Sequence, residues 1–128
     1  MCVVVRNVRP PRVPGVAVAA VVVAAIVALG HDGIVIGQLR FSTDADAATL
    51  ARQAAVTVHA RPGVQYAYDQ AVAGAEVRNE TIDPADFIVA GDGTVTLTVR
   101  RRTHTLVLGR LVHSWEGAAS TGSARWTP

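Results

Sequence analysis

The chain has 128 residues and a formal net charge of +2, and all 12 of its basic residues are arginine. A net charge this small says little about partners. Cys2 is the only cysteine, so a fold held by disulfides is excluded.

The first predicted element is a membrane span. Residues 16–29 are all Val, Ala, Ile or Leu, and no charged residue occurs over the 18 positions from Val13 to Gly30. A helix of that length is about 27 Å long, close to the roughly 30 Å of a hydrocarbon core. The segment therefore predicts a helix that directs the chain to a membrane.

Charge on either side of the span predicts its orientation. Three arginines precede it, and the first charged residue after it is Asp32. This asymmetry predicts a cytoplasmic N-terminus, with the remainder of the chain on the other side. The predicted domains are a basic leader at 1–12, a transmembrane helix at 13–31 and an extracytoplasmic domain at 32–128.

A cleaved signal peptide is the alternative interpretation of the same segment. Ala28 and Gly30 supply small residues at the minus-three and minus-one positions of a cut before His31. The product would be a small secreted binding domain. Pro14, where the helix begins, and a helical pattern that continues past residue 31 favour a retained anchor.

The segment after the span has the spacing of an amphipathic helix. Apolar or small residues recur every three or four positions from Ile36 to Val58, and Pro62-Gly63 ends the pattern. One helix from about Val16 to about Ala60 would be roughly 65 Å long. Its candidate packing or assembly face consists of Ile36, Leu39, Ala47, Leu50, Ala54 and Val58.

The rest of the chain predicts a short helix and a small sheet. Apolar spacing favours a second helix at 64–78, and strict alternation over 94–100 predicts a strand. Gly91-Asp92-Gly93 is a hairpin signal that pairs this strand with 87–90. Residues 119–126 could add a third strand, while 105–112 is ambiguous between strand and helix. The predicted class is α+β, a long transmembrane-plus-amphipathic helix packed on a small antiparallel sheet.

These features together resemble a known family. An Asp-Gly pair ends the span at Asp32-Gly33, an Ala-Asp-Ala-Ala core follows at 45–48, and a Gly/Thr/Val-rich stretch occupies 91–99. The chain resembles TadE/TadG-like proteins of the Tad (tight adherence) pilus-assembly system, actinobacterial type, over most of residues 13–125. Ala20 stands where a prepilin-peptidase site after Gly15 would have Glu, so the unprocessed TadG-like members are the closer match.

The resemblance implies a membrane-anchored, non-enzymatic component of a pilus or secretion apparatus, with membrane lipid and other pilus subunits as partners. The residues independently suggest no catalytic, cofactor-binding or metal site. The four histidines lack ligand spacing, and residues 100–102 are interpreted as a solvated strand end. Asp32 is interpreted as a marker of the membrane edge. Neither nucleic acid nor a small-molecule substrate is expected.

Overall fold

The computed structural model describes residues 15–128, so the predicted basic leader and the first two residues of the predicted span lie outside the described range. The first element is one continuous helix, α1, Gly15–Ala60. Its 46 residues make it about 69 Å long. The prediction of a single helix through both segments is confirmed.

The two halves of α1 have different surroundings. Residues 15–31 are exposed except for half-buried Ala28, whereas the buried residues of the helix lie from Asp32 onward. The helix is long and apolar enough near its N-terminus to cross a membrane. An exposed apolar half followed by a half with a buried stripe is the distribution that a helix leaving a bilayer needs.

A second helix, α2, Val64–Val77, lies against the outer half of α1 through three buried alanines, Ala67, Ala71 and Ala75. It ends in a Schellman motif. The amide of Asn79 donates to the carbonyl of Glu76, and the amide of Glu80 donates to the carbonyl of Ala75. Asn79 takes the left-handed conformation that this motif requires, with φ 56°.

The sheet has four antiparallel strands: β1, Thr81–Ile82; β2, Ile88–Val89; β3, Val95–Arg102; and β4, Gly117–Ala124. Strand β4 pairs with β3 along its whole length, and β1 and β2 share the other edge of β3. The sheet packs on α1 through β3 and β4. The predicted α+β class is confirmed.

Strand β3 carries the centre of the core. Val95, Leu97 and Val99 are fully buried, while Thr96 and Thr98 lie on the opposite face and bond to hydroxyl groups of β4. The predicted hairpin before β3 is confirmed. In its turn the Asp92 carboxylate accepts the Thr94 amide at 2.9 Å, and Gly93 has φ 84°, which favours glycine.

The ambiguous segment 105–112 forms neither a strand nor a long helix. It contains one short helix, α3, Leu108–Leu111, and a 3₁₀ turn, His113–Glu116, follows it. Together with the residues on either side, these form the crossing between β3 and β4, hereafter the 103–116 loop. The last strand begins at Gly117, two residues before the predicted start.

Candidate functional site

The candidate face of α1 lies inside the folded chain. Leu39, Ala47, Leu50 and Ala54 are buried, and Val58 is half-buried against the same core. The sixth member, Ile36, is half-buried. The sheet and α2 cover this stripe, so it packs the chain's own domain onto its helix and leaves little of itself for another subunit.

Two glycines allow the close approach of neighbouring elements to this face. A Cβ at Gly122 of β4 would overlap the carbonyl oxygen of Ala47 and lie 2.5 Å from its carbonyl carbon. A Cβ at Gly74 of α2 would lie 2.8 Å from Cδ2 of Leu50. The Gly122 contact involves main-chain atoms on both sides, so the strand touches the helix backbone directly.

The interpretation of Asp32 as a marker of the membrane edge misses its main contact, because its side chain is fully buried. Its carboxylate accepts three main-chain amides of the 103–116 loop: Leu106 at 2.7 Å, Val107 at 2.8 Å and Leu108 at 2.9 Å. Val107 and Leu108 are the N-cap and first residue of α3, so their amides have no acceptor within that helix, and Leu106 directly precedes them. Asp32 thus anchors the loop to the helix.

The protonation of Asp32 follows from these bonds. Burial alone would raise the pKa of its carboxyl group, but the three amides, helped by His31 at 3.4 Å, lower the pKa to about 2. The anchor therefore stays ionised at neutral pH. It lies four residues before Ile36, one turn below it on the same stripe. That spacing was the sequence signal that could have revealed its burial.

A second carboxylate fixes the loop from its other end. Glu116 accepts the amide and the hydroxyl of Thr105, both at 3.1 Å, and the first of these bonds is the main reason why the pKa of Glu116 is lowered. The Thr105 hydroxyl in turn accepts the Gly109 amide at 2.6 Å. A Cβ at Gly109 would lie 2.5 Å from Cγ of Glu116, so glycine leaves room for this side chain.

A third buried carboxyl group belongs to Glu80, which lies between the end of α2 and the start of β1. Neither of its carboxyl oxygens has a hydrogen-bond partner among the described residues. The pKa of Glu80 is raised to about 7, mainly by burial and next by the nearby Asp46 carboxylate. The positive charges of Arg101 and Arg78 act in the opposite direction and lower it. Asp46 is itself half-buried and lies 3.3 Å from the Arg78 guanidinium, so it is not simply a solvated surface charge.

Glu80 predicts a pH-dependent stability. Its pKa rises from an ordinary 4.5 to about 7 on folding, so its stabilising contribution is complete below the lower value and is lost as pH rises through the higher one. We expect the free energy of unfolding to fall between about pH 4.5 and 7, and Glu80→Gln to flatten that fall. Urea titrations of the full chain in detergent at a series of pH values measure it.

The matched control is Glu76→Gln, which removes an exposed carboxylate from the same helix end. This variant should keep the wild-type dependence on pH. An equal slope in wild type and Glu80→Gln would show that Glu80 is ionised in the folded chain.

The three consecutive arginines after the core of β3 line one open cavity with His113, but their contacts differ. Arg100 pairs with Asp86 at 2.9 Å, Arg101 is half-buried near Glu80, and Arg102 contacts His113. Arg100 and Arg101 thus each have an acidic neighbour, and Arg102 bonds to His113 of the 103–116 loop. The predicted solvated strand end is therefore partly an ion-paired one.

The histidines are dispersed. His59 stacks on Trp126 with ring centroids 3.6 Å apart, His31 contacts Asp32, and His113 lies 3.6 Å from Glu116. Within residues 15–128 no group of three or more His, Cys, Asp or Glu is placed to hold a metal ion. The described site is thus a set of structural carboxylates around a packed helix face.

The chain matches no protein-family model, no curated protein and no solved structure. Three features of the molecule itself bear on its function. These are the exposed apolar half of α1, the domain packed on its other half, and the loop that Asp32 holds where the two halves meet.

Proposed function

We propose that this chain is a membrane-anchored, non-enzymatic component of a pilus or secretion apparatus, of the TadE/TadG-like kind. The observation that carries the proposal is the continuous α1, whose N-terminal half is apolar and exposed while the rest packs under a small sheet. A helix that serves as both anchor and domain core is the pilin-like arrangement. The resemblance at Asp32-Gly33 and 45–48 supports the same assignment.

In this proposal the chain crosses the membrane once. The arginines of the leader keep the N-terminus in the cytoplasm, and the domain from Asp32 onward lies outside. The role of the domain is to present a folded surface at the membrane to other subunits. Since its helix stripe is covered by its own sheet, those subunits would contact the outer face of the sheet, the loops or the exposed half of α1.

We expect the full-length protein to remain in the membrane fraction after alkaline carbonate washing, because an uncharged run of 18 residues is long enough to hold it there. Protease added to spheroplasts should remove the C-terminal domain and spare the leader. N-terminal sequencing of the mature protein identifies the alternative. A soluble form beginning at His31 would replace the anchor with a secreted binding domain.

Assembly is tested separately from anchoring. The full chain, carrying an affinity tag at its C-terminus, is purified from its own host in mild detergent, and the copurifying proteins are identified. A secretion ATPase complex or small pilins would support the pilus assignment. Recovery of the anchored protein without any such subunit, together with normal pili in a deletion strain, would contradict it.

A further inference from the structure

The 103–116 loop exposes three large apolar side chains. Leu106 is 56% exposed, Leu111 is 72% exposed and Trp115 is 43% exposed. One exposed leucine on a protein surface needs no explanation. Three such side chains within ten residues, on a loop fixed by two buried carboxylates, require one.

The depth of this loop relative to the apolar run is set by Asp32. Leu106, Val107 and Leu108 donate their amides to its carboxylate at 2.7–2.9 Å. Asp32 follows Leu29, the last residue of the apolar run, by three positions, which is about 4.5 Å along a helix axis. The loop backbone therefore lies level with the point where α1 would leave the hydrocarbon.

The charge of the same segment fits a lipid surface. The 103–116 loop contains one arginine, Arg110, and one acidic residue, Glu116, which is buried and bonded to Thr105, and Arg102 directly precedes the loop. Arg102 and Arg110 are exposed. Arginine near a bilayer is attracted to anionic headgroups, and tryptophan is enriched at the boundary between headgroups and acyl chains.

We propose that the 103–116 loop is a second membrane contact, lying on the outer surface of the bilayer that α1 crosses. Leu106, Leu111 and Trp115 enter the boundary between headgroups and acyl chains, and Arg102 and Arg110 face the phosphates. The contact rests on the proposed membrane span. It would hold the domain to the bilayer at two points, the helix and the loop.

Tryptophan fluorescence in vesicles tests the loop position. The full chain is reconstituted into phosphatidylcholine and phosphatidylglycerol vesicles, with or without bromine on the acyl carbons nearest the glycerol. Trp126→Phe leaves Trp115 as the probe. Trp115→Phe leaves Trp126 as the probe, and Trp126 stacks on His59. His59 lies 27 residues after Asp32 on α1, which is about 40 Å along the helix axis. Because both leaflets contain brominated lipid, the quenching does not depend on which way the chain inserts into the vesicle.

A third variant places the probe at the residue that Asp32 holds directly. Leu106→Trp is made in a chain in which both native tryptophans are replaced by Phe. In brominated vesicles we expect the emission of Trp115, and of the probe at position 106, to lose most of its intensity and lie at shorter wavelength. The emission of Trp126 should be unchanged.

Flotation and carbonate resistance of the same vesicles separate the two proposals. If the protein floats with the vesicles but the probes at positions 106 and 115 are not quenched, the loop contact is overturned and the span is not. The loop would then be available to a protein partner. A protein that does not float would overturn both. Equal quenching of Trp126 would mean that the whole domain lies flat on the bilayer, which overturns the assignment to the loop.

Discussion

Replacing Leu97 with Asp should unfold the sheet domain. Leu97 is fully buried at the centre of β3, against the packed face of α1. The substitution loses about 2 kcal/mol of apolar burial. It also places a carboxylate where no partner is available, for a total cost on the order of 5 kcal/mol. Urea unfolding of the full chain in detergent, followed by tryptophan fluorescence, measures the loss.

The control for this variant is its neighbour on the outer face. Thr96→Asp removes a hydroxyl bond to Ser123 of 3.1 Å but leaves the new carboxylate near solvent. Its cost should stay near 1 kcal/mol, the scale of one hydrogen bond. If Thr96→Asp were the more damaging of the two, the sheet would face α1 with its other side.

The second large effect is expected from the smallest possible change, Gly122→Ala. Its new methyl group would overlap the main-chain carbonyl of Ala47, and neither backbone can move without separating β4 from α1. Overpacking of this kind costs up to about 3 kcal/mol, occasionally more. The unfolding midpoint of the full chain in urea should fall accordingly.

Gly117→Ala is the matched control, since Gly117 is the first residue of the same strand. There the nearest atom to a new Cβ is the Ser114 carbonyl oxygen at 3.7 Å, an ordinary contact, and the backbone has φ −103°. This variant should be neutral or more stable by up to about 1 kcal/mol, because alanine restricts the unfolded chain. Equal losses in both variants would mean that β4 tolerates no side chain for reasons unrelated to α1.

The parts of the fold that could be predicted are those with a local signal. Alternation over 94–100 identified β3 and its buried side, and Pro62-Gly63 marked the end of α1. The two-residue strand β1 gave no such signal, because its pairing with β3 exists only once the chain has folded. The same holds for 105–112, whose conformation depends on a carboxylate more than seventy residues away.

The site residues also divide into those with a local sequence signal and those without one. Spacing identified most of the stripe on α1, but it stopped at Ile36 because an aspartate does not fit an apolar pattern, although Asp32 lies one turn below. The burial of Glu80 has no local sequence signal for a related reason. Nothing beside it in sequence indicates burial, and its neighbour Asp46 lies on α1, 34 residues earlier in the chain. Gly122 likewise looks ordinary within a strand of small residues until Ala47 is placed against it.

The continuity of α1 has a mechanical consequence. No bend or loop separates residues 15–31 from the part of the helix under the sheet, so if residues 15–31 cross a membrane as proposed, a change in their tilt would reach the domain undiminished. Membrane helices tilt by about 20° on average, and over the roughly 40 Å between Asp32 and His59 such a tilt displaces the far end by about 14 Å. The thickness of the bilayer would thereby set how far Trp126 and its surroundings stand from the membrane and in which direction they face.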